Sequence, residues 1–198
     1  MKYRSILLTE QAYKELHSLR ESLSRKSSRA VTFSETIEEL AGRKSILLSL
    51  DQDLVDYIMK FAALLEGRKG VKGIVLFGSI VKGTATKYSD IDLFIIVEGK
   101  LGDYYDYAHT AAMSLNERRE SLVKKGVFNY LSPTIVGIED LNEFKPLYLD
   151  IADYGIVLYD SEGVTEDFMK KMKAIPHRRE QTIYGEVLKW KTKEQPHG

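Results

Sequence analysis

Two aspartates, Asp90 and Asp92, stand at the start of an apolar segment formed by residues 93–97. Side chains two residues apart in a β-strand project to the same face, so this spacing predicts two neighbouring carboxylates. Mg²⁺ prefers oxygen ligands and commonly shares one or two carboxylates with substrate phosphates. The pair is therefore predicted to bind Mg²⁺, with Mn²⁺ as an alternative, and to be catalytic.

A second group of small residues follows another apolar segment, residues 73–77. Gly78, Ser79 and Gly83 predict a loop whose backbone N–H groups and serine hydroxyl can approach phosphates closely. Lys82 lies in the same loop and can contact a phosphate, although a solvent-facing lysine explains its presence equally well. A phosphate-binding loop beside a divalent-metal site is typical of phosphoryl or nucleotidyl transfer.

The combined pattern resembles the signature of the polymerase-β-type nucleotidyltransferase superfamily: Gly-Ser, three residues, Gly, five residues, then Ser-Asp-x-Asp. The matching residues are Gly78, Ser79, Gly83, Ser89, Asp90 and Asp92. The alternative is a glycine-rich hairpin with a solvated acidic turn, and two carboxylates beside an apolar run disfavour it.

This resemblance implies an α+β nucleotidyltransferase fold, with a mixed β-sheet and flanking helices. It implies that Asp90 and Asp92 bind the metal and catalyse the reaction. The phosphates of an NTP, with ATP as the preferred candidate, would be bound by Gly78, Ser79, Lys82, Gly83 and Ser89. The acceptor hydroxyl is not implied by any residue of the chain.

One element of the superfamily pattern is missing. A third carboxylate is expected on the strand after the long helix, but residues 128–136 contain no Asp or Glu. Ser132 is nearest to the expected position, and Asp150 and Asp153 fall in a later predicted helix. Two function hypotheses therefore stand: a Mg²⁺-dependent nucleotidyltransferase, or a catalytically weak or inactive relative that acts as an antitoxin or regulator by binding nucleotide, DNA or a toxin.

Residues 1–45 are predicted to form a separate strand-helix-helix module, with Thr9 and Ser34 as helix caps. The stretches around residues 5–13 and 32–37 resemble the N-terminal module of archaeal VapB-type antitoxins. That resemblance implies a homodimer or a docking site for a partner toxin. Basic residues only slightly outnumber acidic ones here, so we expect dimerisation or docking before sequence-specific DNA binding.

The remaining chain is predicted to form a nucleotidyltransferase domain, residues 46–160, and a C-terminal extension, residues 161–198, packed on it. The first helix is predicted to end at Gly67 and to bury the face formed by Leu54, Val55, Ile58, Met59, Ala62 and Leu65. It is followed by a long helix over 103–125, a strand over 127–136 whose Pro133 predicts an edge position or a bulge, a helix over 146–153 and a strand over 155–159. The extension is a charged helix and a final strand with Trp190. From residue 130 onward the chain is similar to an archaeal branch of these nucleotidyltransferases.

The composition excludes several classes of protein. Lys plus Arg and Asp plus Glu both number 29, so no global basic charge indicates a nucleic-acid binder. The chain has no cysteine, which excludes disulfides, thiol catalysis and Cys-ligated zinc. The four histidines have no metal-like spacing and are expected at the surface, as is the run of residues 177–179. No membrane span or signal peptide is predicted, so a soluble cytoplasmic protein is expected.

Overall fold

The computed structural model describes residues 50–127, 129–182 and 185–190, together with part of the segment 13–37. The chain forms two units, Met1–Leu50 and Asp51–Gly198. Within the described ranges, no helix has the length and apolar character needed to cross a membrane.

In the first unit, described residues between 13 and 24 and between 33 and 37 are helical. The second of these segments begins with a reciprocal capping box. Thr32 Oγ1 accepts a hydrogen bond from Glu35 N (3.1 Å), and Glu35 Oε2 accepts one from Thr32 N (2.8 Å). The helix cap is therefore Thr32, two residues before the predicted Ser34. With the Thr-x-x-Glu spacing, the side chains of Thr32 and Glu35 each accept a hydrogen bond from the backbone N–H of the other residue. The predicted strand of this module and the cap at Thr9 lie outside the described residues.

The second unit is a mixed α+β domain, as expected. Its elements are α1 Gln52–Glu66, β1 Val71–Phe77, β2 Ile91–Val97, α2 Leu101–Ser114, α3 Asn116–Lys124, β3 Leu131–Gly137, a 3₁₀ turn Glu139–Asn142, α4 Pro146–Tyr154, β4 Ile156–Asp160, α5 Val164–Lys173, β5 His177–Thr182 and β6 Gly185–Trp190. The main sheet has the order β3-β2-β1-β4, in which β2 and β3 are parallel and the other pairs antiparallel. Strands β5 and β6 form a separate antiparallel hairpin.

Helices cover both faces of the main sheet, which explains why β1 and β2 are almost continuously apolar. On one face, α4 and α5 pack on Phe94 and its neighbours in β1 and β2. Three rings form the centre of this layer: Phe168 lies 5.5 Å from Phe94 and 5.1 Å from Tyr148. Helix α1 contributes to the core as predicted, except that Met59 is exposed and Val55 is only partly buried. Tyr57 and Phe61, which the prediction omitted, are buried instead.

The predicted long helix over residues 103–125 is two helices, α2 and α3, that meet at Leu115. The backbone of Leu115 leaves the helical region, with φ −100° and ψ 12°. Its N–H bonds to the Ala112 carbonyl three residues back, and Ser114 Oγ donates to the Ala111 carbonyl (2.7 Å). Such local bonds compete with the regular i to i−4 pattern and end a helix.

Strand β3 lies at the edge of the sheet, as its proline predicted. Its pairing with β2 runs without a shift from Leu131 to Gly137, so Pro133 introduces no bulge. On either side of this paired stretch, the hydrogen bonds to β2 are made by the carbonyl of Tyr130 and by the N–H of Ile138. By the two-residue period of a strand, the nitrogen of Pro133 therefore faces the outer edge, where no ladder bond is lost.

The C-terminal extension contains a hairpin that the sequence analysis did not predict in full. Strand β6 contains Trp190, as expected, but it pairs with β5, whose sequence is His-Arg-Arg-Glu-Gln-Thr. That segment has no alternation of apolar and polar residues, so periodicity gave no indication of a strand. Pairing with β6 is what forms it.

Candidate functional site

The two aspartates lie where β2 begins, beside the end of β1. Asp90 directly precedes β2 and is exposed, whereas Asp92 is its second residue and is half-buried. Asp92 is the partner of Phe77 across the antiparallel β1–β2 pair, and Gly78 follows Phe77. The predicted metal-binding residues and the predicted phosphate loop therefore meet at one end of the sheet.

Gly78 and Asp92 are packed so closely that position 78 accepts no side chain. A Cβ atom built on Gly78 would lie 2.0 Å from Asp92 Oδ2, and the backbone there has φ +79°. Glycine is the residue that tolerates both the positive φ and the close contact. The carboxylate of Asp92 thus sits directly over the first residue of the loop.

The ionised form of Asp92 is disfavoured in this environment. Burial raises the pKa of Asp92, and the charge of Asp90 raises it further. Two carboxylates that repel each other are a donor set that a divalent cation stabilises. Within the described part of the chain, no cluster of three or more His, Cys, Asp or Glu side chains is suited to a metal. A Mg²⁺ ion that completes its coordination with nucleotide phosphates therefore fits these two aspartates better than a metal site made of protein ligands alone.

The loop from Gly78 to Thr84 is held by its own backbone. The N–H groups of Lys82, Gly83 and Thr84 donate to the carbonyls of Gly78 (3.3 Å), Ile80 (3.2 Å) and Ser79 (3.0 Å), respectively. Gly83 has φ +69°, which lets the chain turn, and Ile80 and Val81 are buried anchors. The three bonded N–H groups are therefore engaged within the loop, and Ser79 is left at the partly exposed start of it.

Ser89 shapes the turn that presents Asp90. Its hydroxyl accepts a hydrogen bond from Thr86 N (2.9 Å), and its own N–H donates to the Thr86 carbonyl (3.1 Å). The buried side chain of Asn129 donates to the Ser89 carbonyl across the β2–β3 pair. Asn129 was not among the predicted site residues, and its position as the lone amide side chain of the segment 127–131 was the available signal.

Lys82 forms an ion pair with a residue far away in sequence. Its Nζ lies 2.5 Å from Oδ2 of Asp150 on α4, while Nη1 of Arg179 on β5 lies 2.7 Å from Asp150 Oδ1. Burial alone would raise the pKa of Asp150, but the hydrogen bonds from Lys82 and Arg179 outweigh burial and lower it. Lys82 is therefore held by Asp150 and does not project freely into solvent, and its role as a phosphate ligand stays a prediction.

Arg179 joins the hairpin to α4 through further carboxylates. Its guanidinium lies 2.8 Å from both Asp153 and Glu186 and 4.6 Å from the centre of the Tyr154 ring. His177 Nε2 lies 3.0 Å from Asp153, and the His177 side chain is only 13% exposed. The expectation that residues 177–179 form a solvated run is thus wrong for His177 and Arg179. Local patterning could not show it because the partner that His177 and Arg179 share, Asp153, is 24 and 26 residues away from them.

The position expected for a third carboxylate is occupied by Ser132. Ser132 is the partner of Asp92 in the parallel β2–β3 pair, so the two side chains project to the same face of the sheet. Strand β3 carries no acidic residue. The two sides of Asp92 thus differ: a glycine loop lies on the β1 side and a neutral hydroxyl on the β3 side.

Two surface pockets lie away from this site. One, of about 580 Å³, is lined by residues of α1 and the α2–α3 junction, including Leu64 and Arg118. The other, of about 620 Å³, is lined by Arg68, Lys72 and Tyr104 among others. Neither includes a residue of the signature, so chemistry rather than cavity size identifies the candidate site.

Comparison with known proteins agrees with this geometry. The family model described as a nucleotidyltransferase domain matches residues 58–183, which is more than half of the chain. The putative protein adenylyltransferase MJ1305 of Methanocaldococcus jannaschii is 28% identical over 130 residues, covering 60% of this chain and 78% of that protein.

Solved structures of toxin–antitoxins are similar over about the same length. One of them, the structure of a toxin–antitoxin with AMP-PNP, has 20% sequence identity and a TM-score of 0.41. The match covers 63% of this chain and 86% of the chain in that structure. Another, a mutant form of the toxin–antitoxin MntA-HpeT, has 20% sequence identity and a TM-score of 0.40. The match covers 64% of this chain and 85% of the chain in that structure.

Proposed function

Since the chain belongs to the nucleotidyltransferase domain family, we propose that it transfers AMP from Mg²⁺-bound ATP to a hydroxyl group of a protein. The choice of ATP and of a protein acceptor follows the relative named a putative protein adenylyltransferase. The observation that carries the proposal is the contact of Asp92 with Gly78, which joins a pair of carboxylates to a glycine loop. Because ATP is supplied in the cytoplasm, the proposal also places the protein there.

In the proposed reaction, the acceptor hydroxyl loses its proton to solvent and its oxygen bonds to the α-phosphorus of ATP. The bond from that phosphorus to the oxygen bridging it to the β-phosphate breaks, and pyrophosphate leaves. Asp90 and Asp92 would hold Mg²⁺, which neutralises phosphate charge. The loop of Gly78 and Ser79 would bind and orient the phosphates, and Gly83 would allow its turn. Most of the catalysis in such a site comes from positioning and charge neutralisation, so the site needs no side chain of unusual basicity.

Label transfer tests the proposal. The protein is incubated with Mg²⁺, a cell extract and ATP labelled at the α-phosphate, and a parallel sample receives ATP labelled at the γ-phosphate. Transfer of AMP labels a protein only in the first sample. The double variant Asp90→Asn/Asp92→Asn should lose the label, whereas Asp103→Asn, which changes an exposed aspartate of α2, should retain it. Equal labelling by both nucleotides would contradict AMP transfer.

A second candidate function is favoured by one observation, the neutral Ser132 opposite Asp92. A protein without a group to activate the acceptor can bind Mg²⁺-ATP and act as a regulator or as an antitoxin toward a partner toxin or DNA. Losing a general base typically costs about 10²–10⁴-fold in rate. Tight Mg²⁺-ATP binding without any transfer of label would select this second function over the first.

A further inference from the structure

The C-terminal hairpin reaches the candidate nucleotide site through three side chains of alternating charge. We infer that Asp150 and Arg179 are positioning residues that hold Lys82 of the loop in place to bind a nucleotide phosphate. The inference rests on the proposed function and extends it, because it makes α4 and the β5–β6 hairpin parts of the nucleotide site.

Lys82 is held at one point and retains bonding capacity. A lysine ammonium has three N–H donors. One of them is directed at Asp150 Oδ2, 2.5 Å away, which leaves two for a phosphate. The Nζ atom also lies 5.1 Å from the centre of the Tyr154 ring, on the same helix as Asp150. Because Lys82 is only 27% exposed, its long side chain has already lost much of its rotamer freedom before a ligand binds.

Arg179 removes the electrostatic disadvantage of a carboxylate beside a phosphate loop. An unpaired Asp150 would repel phosphate, but its Oδ1 atom faces the guanidinium of Arg179 at 2.7 Å. The carboxylate therefore has a cation at each oxygen. Arg179 is itself fixed, since it is 15% exposed and pairs with Asp153 and Glu186. An ion pair between a lysine and an acid is known to orient the lysine toward nucleotide phosphates in other phosphoryl-transfer enzymes.

A purely structural ion-pair network makes a different prediction. In that case Asp150 and Arg179 stabilise the packing of the hairpin on α4, and their loss changes the melting temperature without a specific effect on nucleotide binding. In the positioning role, their effect on binding is exerted through Lys82 and disappears when Lys82 is already lost. A double-mutant cycle separates the two cases, because it measures the coupling between residues.

The experiment measures the Kd of Mg²⁺-ATP by calorimetry for the full-length protein. We expect Asp150→Asn and Arg179→Gln each to weaken binding about tenfold, the scale of one charged hydrogen bond. In a Lys82→Met background, Asp150→Asn should change the Kd less than about twofold, the limit expected for lost coupling. Asp150→Glu, which keeps the charge, should recover most of the binding. Arg178→Gln is the matched control, because Arg178 is the neighbouring, 72% exposed arginine of the same strand.

The outcomes are distinct. The positioning role would be overturned if the wild type binds Mg²⁺-ATP and Asp150→Asn binds it equally well or more tightly. It would also be overturned if Asp150→Asn still weakens binding in the Lys82→Met background. Either result would leave the proposed function intact. A wild type that does not bind Mg²⁺-ATP would overturn both. Fluorescence of Trp190, the single tryptophan of the chain, reports whether the hairpin of each variant is folded.

Discussion

The carboxylate of Asp92 occupies the space that a side chain at position 78 would need, so any residue larger than glycine at position 78 would displace that carboxylate. This contact explains why a glycine at the end of β1 and an aspartate fourteen residues later belong to one site. It also makes position 78 a sensitive point at which to test the geometry.

Gly78→Ala should abolish Mg²⁺-ATP binding. The new Cβ atom would lie 2.0 Å from Asp92 Oδ2 and would displace the carboxylate. Gly126→Ala is a matched control, because Gly126 has nearly the same φ, +81° against +79°, but no atom within 4 Å of its Cβ position. Both variants should lose about 1–2 kcal/mol of stability from the left-handed backbone. Normal ATP binding by Gly78→Ala, measured by calorimetry, would contradict the assigned contact.

Asp92→Asn should stabilise the protein while it removes metal-dependent ATP binding. The pKa of Asp92 is raised in the folded state by burial and by Asp90, so the ionised side chain costs stability at every pH above its unfolded value of about 4. Removing the charge should therefore raise the melting temperature at pH 7 by a few degrees. Thermal melts without metal, and calorimetry with Mg²⁺-ATP, measure the two effects. A lower melting temperature would show that the carboxylate is favourably solvated instead.

Ser132→Asp should increase the rate of AMP transfer at least about tenfold, as expected when a missing general base is supplied. The side chain at position 132 projects to the same face as its partner Asp92, so a new carboxylate would lie on the open side of the site. Pro133→Asp is the control, because the adjacent residue of a strand projects to the opposite face. Initial rates of label transfer compare the three proteins. A fast wild type that neither change accelerates would mean that another group activates the acceptor.

Acid should weaken the fold partly through Asp150. Its pKa is lowered in the folded state, because the bonds from Lys82 and Arg179 outweigh burial, so the stability it contributes is present above its unfolded pKa of about 4. That contribution is lost as the pH falls further, toward the folded pKa. Urea midpoints measured from pH 6 to pH 2.5 should therefore fall more steeply for the wild type than for Asp150→Asn. Parallel curves would refute the role of this ion pair in acid unfolding.

Residues 1–45 are proposed to form a homodimer, and Ile37 tests the proposal. Ile37 is 37% exposed in the described part of the first unit, on the helix that begins after Thr32. Ile37→Asp should place a charge in the dimer contact and convert the dimer to a monomer in sedimentation experiments. The control is Glu35→Gln, which keeps the helix surface polar. Thr36→Asp cannot serve as a control because Thr36 is fully buried. A wild-type monomer, or selective binding to DNA as a monomer, would contradict the proposal.

The main features of the second unit could be predicted because they depend on neighbours in sequence. The apolar runs of β1 and β2 and the spacing of α1 identified those elements, and the proline of β3 identified an edge strand. The prediction failed where a specific side-chain hydrogen bond or a distant partner, neither of which alters the apolar periodicity, decided the structure. The backbone break at Leu115 depends on a bond from Ser114, and strand β5, without apolar alternation, forms only because β6 pairs with it.

The sequence by itself determined the residue types of the candidate site and their order, because the signature from Gly78 to Asp92 lies within fifteen residues and its chemistry follows from spacing along two strands. Only the tertiary structure decided which residues surround that signature. The pairing of Asp92 with Ser132, of Lys82 with Asp150 and of Asp150 with Arg179 joins residues 29 to 68 positions apart, as set by sheet order and helix packing. The alternation of residues along a strand determines the face on which a side chain lies. Which helix or strand packs against that face depends on how the whole core is buried.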